Sequence, residues 1–147
     1  MNAGVRLVLL ALAATPLVAV AAEEAKLSCI KDITYSQEFV TRYPRAGAAC
    51  REVVLKNGDK WIHFVAEVVK VKDGKVTVNF LNVAGDTLTT VTLAPAADAR
   101  VTVDKKAKKY SSLQKGDQLD VWMPESRLGF YAEPGAAEVH ELPVVSE

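Results

Sequence analysis

Two dipeptides that favour tight reversals, Asn57-Gly58 and Asp73-Gly74, cut the stretch from Glu52 to Leu81 into three runs rich in β-branched and aromatic residues. Asn-Gly and Asp-Gly supply the positive φ angles of a type I′ turn, whose twist matches that of the two strands it joins. The run from Glu52 to Lys56 is therefore expected to turn into a long strand from Trp61 to about Lys72, which turns again into Lys75 to Leu81. In the last run Val76, Val78 and Phe80 fall on one face while Lys75, Thr77 and Asn79 fall on the other, as in a sheet with one buried side. A chain punctuated this way folds as antiparallel hairpins.

The same punctuation continues downstream. Ala84-Gly85-Asp86 marks a turn, Thr87 to Ala94 reads as a strand that Pro95 closes, and Arg100 to Asp104 and Gln118 to Met123 are further short strands. A last one is expected from Glu138 to Leu142, stopped by Pro143. Upstream, Thr34-Tyr35-Ser36-Gln37 fits a capping box and predicts a short helix with Tyr35, Phe39 and Tyr43 along one stripe, ended by Pro44 and Gly47. About seven short strands behind one short helix predict a mainly all-β fold, a small antiparallel barrel of the SH3-like or OB-like kind, since closure removes exposed edges. The aromatics of the helix are expected to pack it onto the sheet.

Met1 to Ala22 has the layout of a secretory signal, with Arg6 in the n-region, Leu7 to Leu17 as the apolar run and Ala19-Val20-Ala21 before the cleavage point. The uncharged stretch from Leu7 to Ala22 is 16 residues long and holds Pro16, short of the roughly 20 apolar residues of a spanning helix. Glu23, Glu24 and Lys26 separate Cys29 from that run, which argues against a lipid-modified cysteine. The chain therefore divides into a leader over 1–22, an N-terminal helical segment over 23–50, and a β-barrel domain over 51–147, with no transmembrane segment in the mature protein. Cys29 and Cys50 are the only cysteines. In an oxidising compartment they are expected to pair, closing the helical segment and stabilising the fold by roughly 3 kcal/mol in the chain-entropy model. The periplasm is the expected location, with secretion from the cell as the alternative.

Removing Arg6 with the leader leaves the mature chain nearly neutral. A protein that binds nucleic acid normally carries a strong basic excess, so none is expected as a partner. The residues that perform chemistry are few and scattered. His63 lies four residues before Glu67 in the long strand and His140 beside Glu141 in the tail, spacings that match no zinc pattern. No Gly-x-Ser-x-Gly elbow and no phosphate-binding glycine loop occurs, and Asp117, Asp120 and Glu125 fit no calcium loop. No catalytic residue, metal ligand or cofactor is assigned on these grounds, and a hydrolase with an unrecognised site is the least favoured reading.

Two groups are candidates for binding. Met123 to Tyr131 reads as a loop whose Arg127, Phe130 and Tyr131 are the side-chain types enriched at interaction hot spots, and an envelope protein or polysaccharide is the partner it suggests. Trp61, His63 and Trp122 lie in expected strands, and would line a small-ligand or metal-binding cavity if the barrel were hollow rather than packed solid. The cluster Lys105-Lys106-Ala107-Lys108-Lys109-Tyr110 suits either an anionic polymer or a soluble turn that protects a sheet edge.

From Val101 to Val121 the chain alternates Val101 and Val103, crosses the lysine-rich connection, and passes through Leu113-Gln114-Lys115-Gly116-Asp117 into Leu119 and Val121. This resembles the closing strands of small exported bacterial β-barrel domains. The resemblance implies that Leu113 anchors in the barrel mouth and that Gly116 takes a left-handed turn before the next strand. The sequence departs from that pattern at Asp104-Lys105, where a glycine commonly follows the aspartate. The resulting expectation is a non-enzymatic binding or assembly module of the bacterial cell envelope.

Overall fold

The computed structural model describes residues 26–141; the expected leader, and Leu142 and Pro143 at the end of the last strand, lie outside them. Both turn dipeptides behave as their chemistry demands. Asn57 and Gly58 have φ of 54° and 84°, and Asp73 and Gly74 have 51° and 72°, so each pair reverses the chain with two left-handed residues. They join β2 (Cys50–Lys56), β3 (Asp59–Lys72) and β4 (Lys75–Leu81), and β5 (Thr87–Ala94) follows. A two-residue strand β1 (Lys26–Leu27) lies against β2. Beyond β5 come β6 (Arg100–Val103), β7 (Lys106–Lys109), β8 (Gln118–Pro124), β9 (Phe130–Tyr131) and β10 (Glu138–Glu141). The fold is mainly antiparallel β with one short helix, α1 (Gln37–Arg42).

The curvature of the sheet comes from β3. Its first half pairs with β2 and its second half with β4 on one edge, while residues Trp61 to Glu67 pair with β8 on the other. Pairings then run β4 to β5, β5 to β10, β10 to β9 and β9 to β8, which brings the sheet back to β3. This last stretch is thin: two residue pairs, then two, then one carry it. The sheet curls with a full ladder at β3–β8 but is not closed on the thin side, so the expected barrel is met only in the curl and the antiparallel order.

Three local differences from the sequence expectation have physical causes. Helix α1 starts at Ser36 rather than Thr34, because the Phe39 N–H donates to Ser36 Oγ at 3.1 Å. Tyr35 is left outside the helix, where it stacks on Phe39 (4.9 Å) and donates its hydroxyl to the Gly47 carbonyl at 3.2 Å. The lysine-rich connection is itself a strand, β7, because Asp104 and Lys105 both turn left-handed, at φ of 50° and 62°, and make a tight turn without glycine. Residues 130 and 131 form a strand, β9, rather than part of a loop.

The interior is filled by aromatic and branched side chains. Phe130 is fully buried, with ring centroids of Phe80, Tyr43 and Phe64 at 5.0, 5.6 and 6.0 Å. Phe39 and Tyr43 bring the helical segment into this same core, and the Cys29–Cys50 disulfide ties that segment to the start of β2. Leu113 is buried and Gly116 is left-handed at φ 92°. Gly116 donates to the Val68 carbonyl and Val68 donates to the Asp117 carbonyl, each at 2.9 Å, which fastens this element to β3. Among the described residues no helix is long and apolar enough to cross a membrane.

Candidate binding face on the outside of the sheet

Strand β3 alternates strictly through its middle. Ile62, Phe64, Ala66 and Val68 point into the core, so Trp61, His63, Val65 and Glu67 must point outward. The cavity reading of Trp61, His63 and Trp122 is thereby corrected: all three stand on the outer face, and the interior they were to line is occupied by Phe64, Phe80 and Phe130. The loop reading is corrected as well. Phe130 is fully buried and Tyr131 nearly so, because the β8–β9 pairing sends the first inward and lays the second beside Trp122. Arg127 alone of that group stays accessible, with its guanidinium carbon 5.6 Å from the Tyr131 ring centroid.

What the register builds instead is a row across five strands. Glu52 on β2 stands opposite His63 on β3, His63 opposite Trp122 on β8, Trp122 opposite Tyr131 on β9, and Tyr131 opposite Glu138 on β10. Below it Val54 faces Trp61, whose indole meets the Tyr131 ring edge-on at 5.4 Å. Val54, Trp61 and Tyr131 form a second apolar cluster, separate from the core, with Trp122 and Ala136 packed on it. Such a cluster anchors the row from beneath, much as supporting residues fix a binding side chain in one rotamer.

His63 is the centre of this face. Its ring stacks on the Trp122 indole at 4.6 Å and 17°. Its Nε2 is 2.8 Å from an Asp120 carboxylate oxygen and its Nδ1 is 3.4 Å from Glu52, so when protonated it donates to both. The Nε2–Asp120 contact is a hydrogen bond, while Glu52 borders the other ring nitrogen more loosely. The two carboxylates approach from opposite sides of the ring and cannot share one metal ion with it. Among the described residues no three His, Cys, Asp or Glu side chains are placed to hold a metal. Glu67 sits farther along β3, opposite Asn79 and Gln118, and the side chain of His140 lies outside the described residues.

Beside the row is a cleft of about 290 Å³ lined by Lys26, Glu52, Val54, Lys56, Trp122 and Pro134. It combines an aromatic edge, two apolar contacts and both signs of charge. A larger, more open groove of about 480 Å³ lies at the end of the sheet between Tyr35, Asp59, Lys60, Glu125 and Ser126. There Lys60 donates to the Asp32 carbonyl at 2.7 Å and pairs with Glu125 at 3.3 Å, so its charge is already spent within the fold. Burial pushes the Tyr35 phenol beside it up to about 12.

Of the two partners of His63, Glu52 was not singled out from the sequence, and Asp120 was considered only as part of a carboxylate group with Asp117 and Glu125, not as a neighbour of His63. A signal for Glu52 was present, since a two-residue turn at Asn57-Gly58 fixes the register and sets Glu52 opposite His63. For Asp120 the sequence carries no such signal, because the β3–β8 pairing joins residues 57 positions apart. Comparison with family models, with curated proteins and with solved structures returns no match for this chain.

Proposed function

We propose that this protein is a non-enzymatic binding module of the periplasm that holds another envelope protein through the outer face around Trp122. The observation that carries the reading is the half-buried indole of Trp122, stacked on His63 and bordered by a cleft that also holds Lys56 and the Lys26–Glu52 pair, 3.9 Å apart. A preorganised aromatic anchor ringed by charge is the anatomy of an interface hot spot, in which little side-chain entropy remains to be lost on binding. The Asp120 hydrogen bond and the stacking on Trp122, which hold the His63 ring in place, support a fixed binding surface. The disulfide supports an oxidising compartment, and the layout of residues 1–22 supports delivery there.

The test is crosslinking in the native envelope from a photoreactive residue at Lys56, on the rim of the cleft, with Lys75 on the far hairpin as control. A specific adduct from position 56 that disappears when Trp122→Ala is added, with the fold intact by circular dichroism, is the expected result. Equal labelling from both positions, or an adduct indifferent to Trp122→Ala, would sink the proposal.

A further inference from the structure

Strand β7 ends the order of the sheet: it pairs with β6 along one edge, and no strand among the described residues pairs with the other. That edge is Lys106-Ala107-Lys108-Lys109, entered through Lys105. Lysines on an edge strand are ordinarily a defence, since they keep a second sheet from adding on. Two observations go beyond defence. Arg100, on the inner strand β6, stands directly opposite Lys109, a like-charge pair that costs stability and does nothing to guard the edge. At the turn, Lys105 holds a left-handed φ of 62°, where a glycine would remove the strain but also the charge. Among the described residues Arg100, Lys105, Lys106 and Lys109 make no ion pair, whereas Lys108 is engaged by Asp117 at 3.6 Å. Strain and repulsion are thus both tolerated to keep four uncompensated cations on one short hairpin.

We infer that the β7 edge is a docking site for an acidic, extended peptide segment of a partner protein, which adds to the sheet as a further strand. Strand addition uses backbone groups of an edge strand for affinity and side-chain charge for selection; on β7 the Lys109 carbonyl already accepts from Ser112 Oγ at 2.8 Å, which leaves Lys106 to Lys108 to pair. Carboxylates on the incoming strand would sit over Arg100 and Lys109 on one face and near Lys106 on the other, relieving the cross-strand repulsion that the free protein bears. A second copy of this chain is excluded from the edge by the same charges, because it would set lysine against lysine. The docking edge is the outer edge of β7, separated by β6 from Asp120 on β8, and its test reads the β7 amides rather than Trp122, so it can fail without the proposed function failing.

The probe is a short blocked peptide in which pairs of adjacent glutamates separated by valine put carboxylates on both faces of an added strand, with its glutamine counterpart as control, titrated into the full mature protein and followed by amide resonances and hydrogen exchange. The expected result is binding of the glutamate peptide only, weakened roughly 10-fold in Lys106→Gln/Lys109→Gln, which is about 0.7 kcal/mol for each of the two surface pairs, and unchanged in Lys31→Gln. Protection of the β7 amides that do not bond to β6 is the signature of strand addition, and it distinguishes a docked strand from diffuse attraction. Should the glutamine variant lose helix or sheet signal, Lys105→Gly, which relaxes the turn while removing one cation, takes its place and should also weaken binding. No binding, binding indifferent to these lysines, or binding without β7 protection overturns the inference. Equal attraction to anionic phospholipid vesicles, again without amide protection, would overturn it in favour of a membrane surface.

Discussion

Replacing Phe130 by alanine separates two views of the segment that follows β8. A ring exposed on a loop would leave stability within about 0.5 kcal/mol of the parent when removed. The observed ring has no exposed surface and three aromatic neighbours within 6.0 Å. Returning it to water forfeits about 2–3 kcal/mol of transfer free energy. The void left behind adds on the order of 1 kcal/mol if about 50 Å³ of it fails to collapse. Collapse is resisted here because the surrounding rings belong to different elements, Tyr43 just beyond α1, Phe64 on β3 and Phe80 on β4. Phe130→Ala should therefore cost about 3–5 kcal/mol, as buried phenylalanines generally do. Urea denaturation with the disulfide intact reads this directly, as a lower midpoint at unchanged slope. A loss below about 1 kcal/mol would refute the placement of Phe130 in the core, and with it the pairing of β9 with β8.

Other outcomes follow from single residues. The Tyr35 phenol is raised by burial from 10.0 to about 12, so the fold favours its neutral form. That contribution is complete below pH 10 and is lost as pH rises toward 12; Tyr35→Phe should flatten this alkaline limb, monitored by tyrosinate absorbance and unfolding midpoint. Gly129 has φ of 150°, and a Cβ there would come within 2.5 Å of a Glu138 carboxylate oxygen. Gly129→Ala should cost about 1–3 kcal/mol, and Glu138→Ala should restore part of it in a double-mutant cycle measured by thermal melting. Opening the Cys29–Cys50 bond, whose partners are 21 residues apart, should cost roughly 3 kcal/mol. Cys29→Ser/Cys50→Ser, melted beside the reduced parent, checks that figure, and equal stability of bonded and reduced forms would contradict it.

Local chemistry made most of the fold legible. The residues of β2 through β5 could be placed because Asn57-Gly58 and Asp73-Gly74 carry their own backbone conformations and each alternating run names its buried face. Strand β7 was hidden because lysine and alanine have little β-propensity, and only pairing with Val101 and Val103 makes Lys106–Lys109 extended. Strand β9 was hidden for another reason. Phe130 and Tyr131 are as suited to a surface hot spot as to a core, and the choice is made by β8, which accepts Tyr131 beside Trp122. The candidate face was half legible: Trp61, His63 and Trp122 were found as residues, but whether they lined an interior or an exterior depended on the register of β3 with β8. In β3 both faces carry large apolar side chains, Ile62 and Phe64 on one and Trp61 on the other, so alternation there tells which residues share a side but not which side faces the core.

The dependence of that face on a distant pairing also orders its assembly in time. Hairpins closed by two-residue turns form within about 1–10 μs, so Glu52 meets His63 early. Trp122 and Asp120 arrive only after β8 closes against β3 across 57 residues, the kind of long-range contact that slows folding. Under the proposed binding role, a partner that recognises the indole stacked on the imidazole would therefore pass over nascent and half-formed chains.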